Sequence, residues 1–194
     1  MKKLELRMYG LTPYQLSGIQ IGIQFGHAVV EYGQKMKYIG EHNQSLNTQY
    51  NDWADNWKTF IILNGGISNH SQNRYSDEDY VGTMEQNLKT LEDNGVEVGN
   101  FYEPDLNDML SGIVFIVDER VFNKKDYPDF SDWLMSSKYA ELIRTFDTDM
   151  NTIAEYIKNS TNKEDQKVYK EWVNFIGGEK NVFLRDFLKN FRLA

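Results

Sequence analysis

Apolar and polar positions change their period several times along the chain, and each change marks an element. Leu4, Leu6 and Met8 alternate with Glu5, Arg7 and Tyr9, the period of two that predicts a first strand over 4–9. Gly10 to Ser17 then reads as a loop containing Pro13, with Ser17 as helix N-cap. From Gly18 to Tyr32 the residues Ile19, Ile21, Ile23, Phe25, Ala28, Val29 and Val30 spread apolar character over both flanks of a helix, as in an element largely buried. Gly18, Gly22 and Gly26 fall on one side of it, where missing side chains permit close backbone approach, and a sheet is expected against them. Gln20, Gln24, His27 and Glu31 form a narrow polar stripe opposite. By spacing alone this stripe is either the wet edge of a core helix or a row of amides and an imidazole lining a cleft.

The pattern dissolves into polar residues from Gln34 to Trp57, which reads as a surface insertion. Thr59 to Leu63 is a short apolar run, as expected of a central strand covered on both faces. The loop after it, Asn64 to Arg74, is rich in neutral donors and acceptors, and Asn64, Gly65, Gly66, Asn69, His70 and Arg74 are candidate ligand contacts. Ser76 with Asp79 resembles a weak capping box, Tyr80, Met84, Leu88 and Leu91 mark the apolar face of a second helix, and Asn94-Gly95 is its stop. Val96 to Tyr102 and Gly112 to Val117 are further strands, separated by an acidic turn in which Glu103 and Asn107 are candidate contacts. The order of elements predicts an α/β fold with a small mixed four-stranded sheet.

Beyond Asp129 the spacing turns helical. Apolar stripes through Trp133, Leu134, Leu142 and Phe146, through Met150, Ile153, Ala154 and Ile157, through Val168, Trp172, Phe175 and Ile176, and through Phe183, Leu184, Phe187, Leu188 and Phe191 predict an α-helical C-terminal extension. The domains are therefore expected at 1–120 and 121–194. The aromatic set suits a helical core, a lid or a surface for a second subunit, with core packing preferred. Arg185, Lys189 and Arg192 recur at helical spacing and read as a solvated face.

Charge and composition narrow the function. A net charge of -8 argues against binding long nucleic acid. The absence of Cys removes disulfides, thiol nucleophiles and thiolate metal sites, and no apolar run is long enough to cross a bilayer, so a cytoplasmic location away from membranes is expected. His27, His42 and His70 lie apart without ligand spacing, so neither a metal site nor a cofactor is expected.

The segment Gln24-Phe25-Gly26-His27-Ala28, the apolar strand after it and the Asn94-Gly95-Val96 turn resemble the type II peptidyl-tRNA hydrolase family over about residues 1–117. Family members carry an active-site lysine seven positions before the His, together with an acid and a Thr near the last strand. The corresponding positions here hold Gln20, Glu103 and Ile113. Losing the lysine removes the cation that would meet a phosphate or polarise an ester. The resemblance thus implies a retained scaffold with its catalysis removed. The expected function is non-catalytic capture of a small nucleotide-like ligand through Gln20, Gln24, His27 and the two loops. Such a protein would suit sequestration of a nucleotide signal of host defence, as viral counter-defence proteins do. A peptidyl-tRNA hydrolase or related hydrolase is the alternative, and a protein-interaction module a second. The resemblance and the aromatic C-terminal surface together imply a homodimer.

Overall fold

The computed structural model describes residues 3–39, 44–69, 82–140 and 149–194. Among them the fold is mixed α/β: four strands in one mixed sheet and eight α-helices. The chain divides into two compact units. The first runs to Asp118 and takes back Phe187–Ala194; the second is Glu119–Asp186. The last eight residues of the expected extension thus belong with the sheet.

In the first unit, β1 (Leu6–Pro13), α1 (Gly18–Ile39), α2 (Gln44–Asp52) and a π-helical turn (Trp53–Trp57) lead to β2 (Thr59–Gly66). Then follow α3 (Thr83–Asp93), β3 (Gly99–Glu103), a short 3-10 turn (Pro104–Leu106) and β4 (Met109–Asp118). The sheet order is β2-β1-β4-β3, with β1 parallel to β2 and antiparallel to β4, and β3 antiparallel to β4. β1 runs on through Thr12 to Pro13, where the pairing shifts register, so the expected loop starts later. Proline is tolerated there because it sits at that irregularity, where the regular ladder is already interrupted.

β1 and β4 are the central strands, and nearly every residue of β4 is buried. β2, expected to be central, is an edge strand on which Phe60 is exposed. An apolar run reports burial of side chains but not which neighbour supplies it. Part of the β2 edge is met by the C-terminal tail: Asn64 donates its N–H to the Arg192 carbonyl at 2.9 Å, and Ala194 to that of Ile62 at 3.0 Å. Phe187 packs edge-on to Phe115 of β4, with ring centroids 6.4 Å apart.

The glycines of α1 reverse their expected role. Among the described residues, a Cβ at Gly18, Gly22 or Gly26 would meet nothing within 4 Å. The buried face instead consists of Gln24, Phe25, Ala28, Tyr32 and Met36. Room for close packing comes from the sheet. A Cβ at Gly112 would lie 2.8 Å from the Gln24 carbonyl oxygen, one at Gly99 2.5 Å from Tyr32 Cβ, and one at Gly10 2.2 Å from the Phe25 ring. Each helix glycine left in solvent costs α1 about 1 kcal/mol relative to alanine.

Of the stretch expected as a loose surface insertion, residues 34–39 and 44–57 are described, and they are helical. Met36 and Trp53 are buried in one core with Leu6, Met8, Phe25, Ala28, Tyr32, Val114 and Ile116. Ile39, Leu46, Tyr50, Ala54 and Trp57 pack against that core, while Tyr38 is exposed. On the other face, α3 buries Met84, Leu88 and Leu91. It stops at Gly95 (φ 68°), after which Val96 N–H returns to the Leu91 carbonyl at 3.0 Å.

The second unit contains α4 (Glu119–Phe122), α5 (Phe130–Ser136), α6 (Met150–Asn159), α7 (Lys163–Phe175) and α8 (Glu179–Leu188), whose last two residues count with the first unit. Its core holds Phe130, Leu134, Ile153, Ala154, Ile157, Trp172, Val173 and Ile176. Asp149 caps α6 through the N–H groups of Asn151 and Thr152. Arg185, expected on a solvated face, is buried. It donates to the carbonyls of Arg120 and Tyr127, each at 2.8 Å, and to Asp129 Oδ1 at 2.9 Å. Among the described residues no helix is long and apolar enough to cross a membrane.

Candidate functional site

The structure brings Gln24, His27 and Glu103 together where α1 crosses the ends of β3 and β4. Gln24 is buried, and both ends of its amide are used. Nε2 donates to Glu103 Oε2 at 2.5 Å, and Oε1 accepts from the Ser111 hydroxyl at 2.8 Å. An ionised carboxylate only accepts, so Glu103 fixes which way the amide points. Ser111 also lies 3.2 Å from the Phe101 carbonyl. The other Glu103 oxygen accepts from the Asp105 N–H at 3.3 Å.

His27 stands at the outer side of this relay. Its side chain is 46% exposed, against 13% for Glu103, and Nδ1 is 4.0 Å from Glu103 Oε2. The Phe101 ring supports the imidazole edge-on at 4.5 Å. Helical spacing explains the arrangement: Gln24 and Ala28 face the sheet one turn apart, and His27 is rotated out towards solvent. Asn107, in the left-handed region at φ 57°, ends the 3-10 turn after Glu103 and is exposed. The neighbouring Tyr102 faces α3 instead. Burial and the Glu85 and Glu92 carboxylates push its phenol above the usual range.

The remaining candidates lie elsewhere. Gln20 is exposed and engaged in a reciprocal capping box: Ser17 N–H donates to Gln20 Oε1 at 3.0 Å, and Gln20 N–H to Ser17 Oγ at 3.4 Å. Asn64 folds back to accept from the Gly66 N–H at 2.9 Å. It sits at the end of the opposite edge strand, three strand spacings or roughly 14 Å from Glu103. Gly65 looks the other way, since a Cβ there would strike Met84 of α3 and Leu11 of β1, and a Cβ at Gly66 would strike Thr83. Asn69 accepts from the Gly82 N–H through its side chain and donates its own N–H to Glu85 at 2.9 Å. His70 and Arg74 lie outside the described residues.

Ser111 and Phe101 were not singled out by sequence reasoning. Ser111 had a signal, as a lone hydroxyl inside the apolar run of β4. Phe101 had none, because an aromatic in a strand reads as core.

The turn that follows Glu103 adds two further carboxylates, Asp105 and Asp108. The arrangement can accept hydrogen bonds at Glu103, and either donate or accept at the imidazole. Compared with known proteins, the chain matches no family model, no curated protein and no solved structure.

Proposed function

We propose that this protein binds a small nucleotide-like ligand, without turning it over, at the edge where His27 stands beside Glu103. The single observation behind this reading is the half-exposed imidazole 4.0 Å from a carboxylate that Gln24 and Asp105 hold in place. Preorganised acceptors of this kind suit the hydroxyls of a ribose or the N–H edge of a base. The acidic turn disfavours phosphate beside Glu103, and Gln20 brings no cation to the site. The ligand's phosphate is therefore read as pointing away from Glu103. The α/β unit is read as a type II peptidyl-tRNA-hydrolase-like scaffold retained for binding. Thermal-shift titration with nucleosides and nucleotides tests this, with stabilisation of the wild type and none of His27→Ala expected.

One feature favours hydrolysis as a second reading. An imidazole next to an oriented carboxylate is a pair that a general base uses. Turnover of peptidyl-tRNA by the wild type supports that reading. Inactivity of both the wild type and Gln20→Lys supports binding alone.

A further inference from the structure

We propose that the ligand at this site is a guanine nucleoside or nucleotide, a choice that rests on the binding role proposed above. The pairing of β3 with β4 shifts register: Phe101 pairs with Gly112 and Tyr102 with Leu110, so Ser111 is the extra residue of a β-bulge. Such a bulge re-aims a side chain, and here the Ser111 hydroxyl lies 2.8 Å from Gln24 Oε1. With its oxygen held there, the Gln24 amide offers its Nε2 donor to Glu103 Oε2 at 2.5 Å. The Asp105 N–H meets Oε1 at 3.3 Å. Each oxygen of an ionised carboxylate accepts two hydrogen bonds, so both keep one acceptor position. Glu103 is thus held by the protein on one side, and 13% of its side chain still reaches solvent.

Beside this pair of acceptors stands the imidazole. Nδ1 of His27 is 4.0 Å from Glu103 Oε2, too far for a hydrogen bond, so an imidazole N–H is not spent on the carboxylate. Contact with the Phe101 ring at 4.5 Å sets its tilt. Oε1, Oε2 and the imidazole therefore offer acceptor, acceptor and donor, as the pairing edge of cytosine does. The complement of that order is the Watson–Crick edge of guanine, where the 2-amino group and N1–H donate and O6 accepts. Adenine turns a bare N1 acceptor toward the carboxylate, uracil flanks its single N–H with carbonyls, and cytosine sets one amino group beside an acceptor. Guanine alone among the common bases places two donors side by side. Docked by this edge, guanine carries its ribose and any phosphate on the far side of the ring from Glu103. The negative groups of the ligand then avoid Asp105 and Asp108.

Isothermal titration calorimetry of the full chain with guanosine, inosine, adenosine and 2′,3′-dideoxyguanosine tests this. Inosine lacks only the 2-amino donor to the carboxylate, and guanosine should bind at least about tenfold tighter than it. The margin over adenosine should be at least about 100-fold. The dideoxy analogue should match guanosine. Glu103→Gln supplies a test that loss of folding cannot mimic. Its amide must turn its oxygen to Gln24 Nε2, which sets its own amino group against that of guanine, so this variant should bind inosine more tightly than guanosine. Adenosine binding as tightly as guanosine, or a Glu103→Gln variant with no preference for inosine, overturns the guanine assignment and leaves nucleotide binding standing. Weakened binding of the dideoxy analogue, with adenosine bound as well as guanosine, also overturns it and assigns the carboxylate to the ribose diol. Failure of all these nucleosides to bind the wild type removes both readings.

Discussion

Gln24 donates through Nε2 to Glu103 Oε2 while its Oε1 receives the Ser111 hydroxyl, so one buried amide ties helix α1 to two strands and aims a carboxylate at the surface. Under the proposed binding role, loss of this residue should show both a structural and a functional effect. Gln24→Ala leaves a buried hydroxyl and a largely covered carboxylate without this partner. It should destabilise the first unit by about 1–3 kcal/mol and weaken ligand binding as well. Urea unfolding monitored by circular dichroism, paired with a binding titration, reads both changes. Unchanged stability would show that water replaces the amide without cost.

Glycines in the sheet and in the helix should respond in opposite directions. Gly112→Ala forces a Cβ against the Gln24 backbone and should destabilise the protein by about 1–3 kcal/mol. Gly22→Ala, measured in dilute protein, should stabilise it by up to about 1 kcal/mol. Thermal denaturation of the two variants side by side distinguishes a helix lying on the sheet through its glycines from one lying through Gln24, Ala28 and Tyr32.

The C-terminal residues complete the first unit. Phe187 is buried against Phe115, and Phe187→Ala should cost about 3–5 kcal/mol. Chemical unfolding followed through Trp53, in the core of that unit, is the measurement.

Acid should act on the second unit through Asp129. Partial burial opposes its charge, but the hydrogen bond from Lys124 and the charge of Arg185 hold its carboxyl below the ordinary 3.8. A depressed folded-state value means that the contribution is fully present above 3.8 and is lost as pH falls through the folded value. Asp129→Asn should therefore be less stable than the wild type at neutral pH, and the difference should vanish in strong acid. Arg185→Met should cost about 2–3 kcal/mol, because the carbonyls of Arg120 and Tyr127 lose buried donors. Pairs of urea unfolding curves at neutral and acid pH check both expectations.

Much of this fold was legible because periodicity reports burial. Met84, Leu88 and Leu91 of α3, Ile153, Ala154 and Ile157 of α6, and the apolar β4 were each marked by spacing. The orientation of α1 was not. An apolar helix with glycines four apart offers two plausible inner faces, and the choice depends on Gly99 and Gly112, which are distant in sequence. The same long-range dependence hid Arg185, whose partners come from residues 120–129. At the site, Gln24, His27 and Glu103 were named from sequence and meet in space. Gly65, Gly66 and Asn69 were named from donor density alone and pack on the side of α3 instead.

The most direct test of the binding proposal is mass spectrometry of ligand retained by protein purified from cells, comparing the wild type with His27→Ala and Glu103→Gln. His27 is half exposed, and Glu103→Gln keeps a group that can face Gln24, so both variants should fold. The account predicts a nucleotide-like molecule released from denatured wild type, and its loss from both variants. The expected drop in affinity is roughly 10- to 150-fold, the worth of a hydrogen bond to a charged group. A wild type that carries and binds no such molecule, or variants that retain it equally, would contradict the assignment of this site.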